Sequence, residues 1–437
     1  MTGKSPNQNQ KNLFLPLLRE FIDVNHELVL LADKIDWKYF ERSFSHYYSS
    51  TGQPSMPIRL MVGCLMLKRL YNYGDETLAA AWEMNPYMQY FCGEAHFQHH
   101  FPCDPSDFVH FRDRIGEAGV ELIFAYSVKL HGKDVRSKMV LSDTTVQENN
   151  TTFPTDAKLA KRIIDKSHQI AQLEQVVQRQ SYKRTSKNLL RDTFNSSHPK
   201  RKKKAQKAQK RLRTIAGRVV RELQNKLPKE VLPSYLDELA FYQNILDQEK
   251  NDKNKVYSLH KPFTACIAKG KAHKQYEFGN KIGLILNPKK LVILGIEAFE
   301  GNPHDSRTIE PLLNQVNRNL GYQPEEVIYD RGGRGIAKIN GTTISTPKPP
   351  KKSATQYQKR ITRKKFRRRA AIEPVIGHLK SDFRMAQNYL HGSSSPRVNA
   401  MLAATGWNLK KMMEKLKQEL LHLYTILFLK KYQLYYF

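Results

Sequence analysis

The sequence predicts a mixed α/β sheet with flanking helices, preceded by a helical N-terminal domain and interrupted by a long basic helical insertion. Three observations carry that expectation. Strand-length runs rich in β-branched and aromatic residues begin only after residue 135. A segment of Ala, Gln, Leu and Lys composition at about 157 to 256 favours long helices. The first 135 residues carry helix-period apolar patterns and helix-start residues.

Within that first part, "MPIRLMVGCLMLKRLY" follows Pro57 and is apolar on most sides, as a buried helix would be. Asp75 is placed to cap "ETLAAAWEM", and Ser106 to cap "DFVHFRDRIG". The strands expected next are "KMVLSDTT" (138–145), "YEFGNKIGLIL" (276–286), "LVILGIEAF" (291–299), "EVIYD" (326–330) and "TTIST" (342–346). The turn sequence "NPKK" makes the second and third a hairpin. Between the third and fourth, Asp305 or Ser306 can start an amphipathic helix that Gly321 ends, with His304 a polar neighbour of the capping residue. A last helical stretch is expected from about 368 to 420. The order strand, hairpin, helix, strand, strand, helix describes one α/β domain.

Charge narrows the partner. With 72 basic against 41 acidic residues the formal charge is +31, far beyond what solubility needs, and such self-repulsion is best explained by a polyanionic partner. Nucleic acid leads over an anionic membrane surface. The longest apolar run, "LLHLYTILFL" at 420–429, is about half of the ~20 residues a bilayer span requires, and the polar start carries no secretory signal. A soluble cytosolic protein without membrane association is expected, and four cysteines with no C-x-x-C pair fit a reducing compartment. Cys92, His96, His99, His100 and Cys103 have ligand types that zinc accepts, but lack a paired signature. The favoured reading there is a buried Cys92 beside polar or DNA-facing histidines.

Two stretches concentrate the positive charge. From Lys158 to Lys229 there are 22 basic residues and four acidic ones, including "KRKKKAQKAQKRLR" with Lys202, Lys203 and Lys204, the pattern of an arm that tracks phosphates. From Pro347 to Arg369 there are eleven Lys or Arg and no Asp or Glu, and Glu373 follows in "FRRRAAIEPVIGHLK". A carboxylate in such surroundings is the unusual object. Asp143 ends the first strand in "LSDTT". Asp330 ends the fourth in "VIYDRGGRG", whose glycines permit close approach of a ligand. Carboxylates from three distant parts of one α/β domain are what two divalent cations need to clamp a phosphate. At ~100° per residue, Phe366, Arg369, Glu373 and Lys380 share one helix face, a carboxylate flanked by cations. Pro374 either kinks that helix or starts it with Glu373 near the cap.

At these residues the chain resembles the DDE transposases of bacterial insertion sequences, specifically the insertion-sequence-four and insertion-sequence-five superfamily. The signature Tyr-x2-Arg-x3-Glu-x6-Lys stands here as Phe366, Arg369, Glu373 and Lys380, with Phe in place of Tyr. "LSDTTVQ" matches the first-Asp motif at Asp143. "YDRGGRG" matches the second at Asp330, with Gly333 where an aromatic residue is usual. "QYFCG" (89–93), "FRDRIG" (111–116), "GNPHDSRT" (301–308) and "GWNLKKM" (406–412) extend the similarity over roughly residues 50 to 412.

The resemblance implies a ribonuclease-H-like catalytic core in which Asp143, Asp330 and Glu373 bind two Mg²⁺, with Mn²⁺ a possible substitute. It implies cleavage at element ends and joining to target DNA. The expected partners are double-stranded DNA, at element ends and target, and a second copy of the chain in a homodimer, in the bacterial cytoplasm at the nucleoid. Arg369, Lys380, Arg331 and Arg334, with Lys202, Lys203 and Lys204 of the insertion, are the expected DNA contacts. The implied division is a DNA-binding helical domain at 1–135, a catalytic domain at 136–156 and 257–412, the insertion at 157–256, and a helical tail at 413–437. Two other readings stay open: a nuclease or resolvase of the same core without strand transfer, and a non-catalytic DNA-binding derivative.

Overall fold

The computed structural model describes residues 1–7, 14–249, 251–268, 274–348 and 353–435, with side chains of the last helix described through Ile426. Lys351 and Lys352 of the basic run, and the end of the C-terminal tail, lie outside the described residues. The chain forms two compact units. One comprises Met1–Gln147, Lys281–Phe299 and Pro303–Phe437; the other comprises Glu148–Asn280 and Glu300–Asn302. Among the described residues no helix is long and apolar enough to cross a membrane.

In the first unit the N-terminal helices and the sheet share one hydrophobic core, running from Leu18 through Phe124 and Leu141 to Met413. Helix Ile58–Leu70 is buried along nearly all its length, as its all-round apolar sequence requires. The helix starting at Asp75 is capped differently from the sequence expectation. Its N-cap is Gly74, whose N–H donates to the Thr77 hydroxyl at 2.7 Å. Asp75 is the first helical residue and is taken by Lys68 and Arg112 instead. Ser106 stands at the N-cap of helix Asp107–Lys129, but its hydroxyl makes no cap bond; its N–H is held by the Asp104 carboxylate at 2.8 Å.

The eight strands are β1 (Met139–Asn149), β2 (Ala265–Ala268), β3 (Tyr276–Leu286), β4 (Ile293–Phe299), β5 (Glu326–Ile328), β6 (Lys338–Ile339), β7 (Thr342–Ser345) and β8 (Gln387–Asn388). Their order is β2-β3-β1-β5-β7-β6, with β4 also on β3 and β8 on β1. β3 and β4 form the expected antiparallel hairpin, whose turn is tied by the Asn287 carboxamide accepting from the N–H groups of Lys289 and Lys290. β1 pairs in parallel with β5, and β5 with β7. A hairpin beside a first strand that then runs parallel to two later strands, with helices on the faces, is a ribonuclease-H-like arrangement. β1 outruns its expected end at 145 and continues to Asn149.

The helix after β4 begins with a 3-10 turn, Asp305–Thr308, and continues as Ile309–Leu320 to Gly321, which takes the left-handed φ of 61° that ends it. Neither Asp305 nor Ser306 is the cap. His304 is, its Nδ1 accepting from the Ser306 N–H at 3.3 Å, which leaves the Asp305 carboxylate to other partners. The single helical stretch expected from 368 to 420 is three helices: Gln356–Arg369, Ile372–Ser381 and Ser395–Tyr435. The first break falls at Ala370–Ala371 because Pro374 has no N–H to continue a helix, and it sits instead in the first turn of the new one. The first of the three has no buried residue. It rests on a capping box between Thr355 and Gln358, and on an ion pair from Lys365 to Glu326 of β5.

Among the described residues the second unit contains four helices, Asp156–Leu173, Lys183–Asp192, Pro199–Lys226 and Leu232–Asp247. It has its own apolar cluster, including Ile163, Leu212, Ile215, Val219, Val220, Leu223 and Leu239. In Pro199–Lys226 the buried positions Ala205, Ala208, Leu212, Ile215, Val219 and Leu223 recur at three- and four-residue spacing. One stripe therefore packs while the basic residues lie outside it.

Candidate active site

The register of the two central strands brings the first two carboxylates together. Leu141 of β1 pairs with Ile328 of β5, and both are fully buried. Asp143 and Asp330 each lie two residues beyond that pair. In parallel strands with period-2 alternation, they therefore extend from the same end and the same face. Local bonds aim both groups. The Thr144 N–H donates to Asp143 Oδ1 at 2.8 Å. The Gly332 N–H donates to Asp330 Oδ1 at 2.8 Å, making Asp330 the cap of the 3-10 turn Arg331–Gly333.

Glu373 joins through a cation. Arg369, the last residue of its helix, donates from Nη1 to Asp143 Oδ2 at 2.9 Å and from Nη2 to Glu373 Oε1 at 3.3 Å. The helix break at Ala370–Ala371 does not separate Arg369 from Glu373, so the four-residue spacing of the motif survives the proline. Phe366 is half-buried against the core, and Lys380 lies about two turns beyond Glu373 on the second helix, half-buried. Arg368 donates to the Pro288 carbonyl, Nε at 2.7 Å, and with Lys365 pins the basic helix to the sheet.

One participant, Asp305, reads in the sequence as a helix cap rather than a metal ligand and in the fold is neither cap nor free. Asp305 Oδ1 accepts from the Thr144 hydroxyl at 3.1 Å and from Lys281 Nζ at 2.9 Å. Its other oxygen lies against the Gly332 backbone so closely that a Cβ there would strike it. Asp305 thus ties the residue after Asp143, the start of the β3–β4 hairpin and the loop after Asp330. The signal available in sequence is its place beside His304 in "GNPHDSRT", which reads equally as a cap.

Electrostatics set Asp143 apart. Burial pushes its carboxyl up to about 6 despite the Thr144 amide and Arg369, and the neighbouring Asp330 adds to the rise. A desolvated carboxylate beside a second one is a site that gains from a bound cation. Hard oxygen donors of this kind suit Mg²⁺. The guanidinium of Arg369 bridges Asp143 and Glu373. No three His, Cys, Asp or Glu side chains among the described residues stand at metal-ligand spacing.

The remaining expected contacts are dispersed. Arg331 and Arg334 are exposed on the loop after Asp330. Lys202 and Lys203 are exposed in the second unit, and Lys204 is paired with Asp192 at 2.8 Å. In the Cys/His segment Cys92 is buried with its sulfur 3.6 Å from that of Cys64, while His99 and His100 are exposed.

Comparison with known proteins bears on this geometry. Residues 16–114 match a transposase domain family of otherwise undefined function, and residues 249–409 match the transposase DDE domain family. Asp330 and Glu373 fall inside the second match, whereas Asp143 falls in neither and joins the site through the register of β1 with β5. An uncharacterized protein, ORF8 of the nfe locus of Rhizobium meliloti, is 34% identical over 192 residues, 43% of this chain and 93% of that protein. No solved structure matches significantly. With two transposase families matched in order along the chain and the ribonuclease-H-like sheet between helices, the chain belongs to the DDE-type transposases.

Proposed function

We propose that the protein cleaves phosphodiester bonds at the ends of an insertion sequence and joins the freed 3′-hydroxyls to target DNA. The observation that carries this reading is the Asp143–Asp330 register, with Glu373 linked to Asp143 through Arg369. Asp143, Asp330 and Glu373 would hold two Mg²⁺, or Mn²⁺, which supply Lewis-acid polarisation of the scissile phosphate and charge stabilisation at the attacking and leaving oxygens. The chain's own residues do the rest. Asp143 presents its carboxylate from strand β1, and Asp330 from the cap of the 3-10 turn that follows β5. Asp305 holds the Thr144 hydroxyl and the Gly332 loop, and so fixes where those carboxylates point. Arg369 has two uses for one guanidinium: a counter-charge for Asp143 and Glu373, and a phosphate contact shared with Lys380.

Chemically, the first step places water on the phosphorus as the 3′-oxygen leaves. In the second, that 3′-hydroxyl attacks a target phosphodiester and a target 3′-oxygen departs. No covalent protein intermediate is needed. Arg331, Arg334, Lys202 and Lys203 support the reading as exposed cations for DNA phosphates, and a homodimer would handle two ends at once. Incubating the full chain and Mg²⁺ with end-containing duplexes tests it. Joined products establish transposition, and nicks without joining leave a nuclease of the same core. No cleavage on any end sequence would leave a DNA-binding derivative.

A further inference from the structure

Away from the carboxylates, the same unit contains a cavity of about 560 Å³, lined by the end of helix Ile58–Leu70, helix Asp107–Lys129, the 384–394 segment and the first turn of helix Ser395–Tyr435. Arg69 is 2% exposed on its wall, and its Nε and Nη1 have no hydrogen-bond partner. A buried guanidinium that leaves two donors unmet is costly, so its persistence asks for an acceptor. Gly406 of the last helix packs so tightly on the Arg69 backbone and Cβ that the side chain has little room to retreat.

The neighbours reinforce the demand. Lys68 and Arg112 have side chains only 7% and 9% exposed, and both share the single carboxylate of Asp75. Arg384 adds a fourth cation from a backbone held at φ 60°, a conformation non-glycine residues rarely adopt, with Nη1 on the Asn72 carbonyl at 3.1 Å. Of the other two acids on the wall, Glu117 is ion-paired with Arg397 and Asp113 is exposed. The crowding is felt: burial, and then the neighbouring arginines, depress Lys68 to about 7 and Arg69 to about 9. The helix C-terminus at Leu70 offsets part of this but supplies no full charge.

We propose that this cavity is a phosphate-binding site, in which Arg69 and Arg112 grip one phosphate group presented by a nucleic-acid strand or taken free from solution. Four cations gathered about Asp75, with Glu117 already paired to Arg397 and Asp113 exposed, match an oxyanion with several acceptor oxygens, and a guanidinium fork matches two of them at once. The site is independent of the carboxylate chemistry and stands even if the transposition reading fails.

Thermal unfolding of the full chain in sodium phosphate, against sodium chloride at equal ionic strength, tests the proposal. A bound anion raises the midpoint with the logarithm of its concentration. Arg112→Gln and Arg69→Met should each weaken the apparent affinity roughly tenfold or more. The triple change Lys202→Gln, Lys203→Gln, Lys204→Gln should leave it unaltered. No rise beyond the chloride control overturns the site, and so does a rise that survives in Arg112→Gln, the wall variant that leaves the packing of Gly406 on Arg69 untouched. A fluorescent duplex then separates the sources. If DNA supplies the phosphate, inorganic phosphate competes with it and Arg112→Gln lowers the salt slope of binding by about one. If the anion is free phosphate, inorganic phosphate does not displace the duplex and Arg112→Gln leaves the salt slope unchanged, while the thermal rise seen in wild type is still weakened in that variant.

Discussion

At the carboxylate site Asp143 and Arg369 have side chains 16% and 20% exposed and meet at 2.9 Å, whereas on helix Pro199–Lys226 Lys202 and Lys203 stand in solvent over a dry seam. The first region spends stability to keep a carboxylate desolvated beside a second one. The second separates its cations from its core and loses nothing by carrying them. A preorganised reaction site needs particular atoms in particular places, while a phosphate-tracking surface needs only enough positive charge. The two regions should therefore answer mutation in opposite ways.

The largest difference is expected in chemistry. Asp143→Ala, Asp330→Ala or Glu373→Ala should each reduce Mg²⁺-dependent cleavage at least ~10³-fold, since losing a cation ligand costs several kcal/mol of transition-state stabilisation. Gel-shift affinity for the same duplex should change little. Cleavage retained in any one of the three removes that residue from the site.

Folding should show the reverse dependence. Leu212→Ala, at a fully buried position of the insertion, should cost about 2–5 kcal/mol of that unit's stability. Denaturant melts followed by a probe in residues 148–280 measure it, and a loss under about 1 kcal/mol would mean the four helices are not held by that seam.

Next comes a stability gain from removing a desolvated charge. With its carboxyl raised from 3.8 to about 6 in the fold, Asp143 binds its proton more tightly when folded. Metal-free wild-type stability should therefore fall as pH rises from about 4 to 6, by on the order of 3 kcal/mol, and stay lower above that. Asp143→Asn has no such loss. In EDTA its advantage over wild type should grow across that window and then level off, and a difference flat with pH would show that the Arg369 pair fully offsets burial.

Smallest are the surface lysines. Replacing Lys202 and Lys203 by Gln should lower the slope of log K against log salt by up to ~0.9 for each DNA phosphate that these side chains neutralise. Lys204→Gln should add less, because Asp192 already holds that ammonium. An unchanged slope would take the insertion off DNA.

How much of this is legible in the sequence follows from the range of the interactions. The amphipathic seam of Pro199–Lys226, the β3–β4 hairpin and the left-handed stop at Gly321 depend on residues within a few positions of one another, and each is legible. The cap of the helix at Asp75 is not, because Asp75 is claimed by Lys68 and by Arg112, 37 residues away. Asp305 is hidden for the same kind of reason: its partners Thr144 and Lys281 lie 161 and 24 residues off. The motif carrying Arg369 and Glu373 is visible, but where Pro374 breaks the helix is decided only by the restart of the chain at Ile372.

By itself the sequence determined the class of fold and the family motifs, because periodicity, composition and short motifs are properties of neighbouring residues. Only the tertiary structure decided that Asp143 stands beside Asp330, that Arg369 bridges to Glu373, and that Arg69 is buried with two of its donors unmet. Those facts arise from strand register and packing, where residues hundreds of positions apart share a few ångströms and desolvation decides what each charge costs.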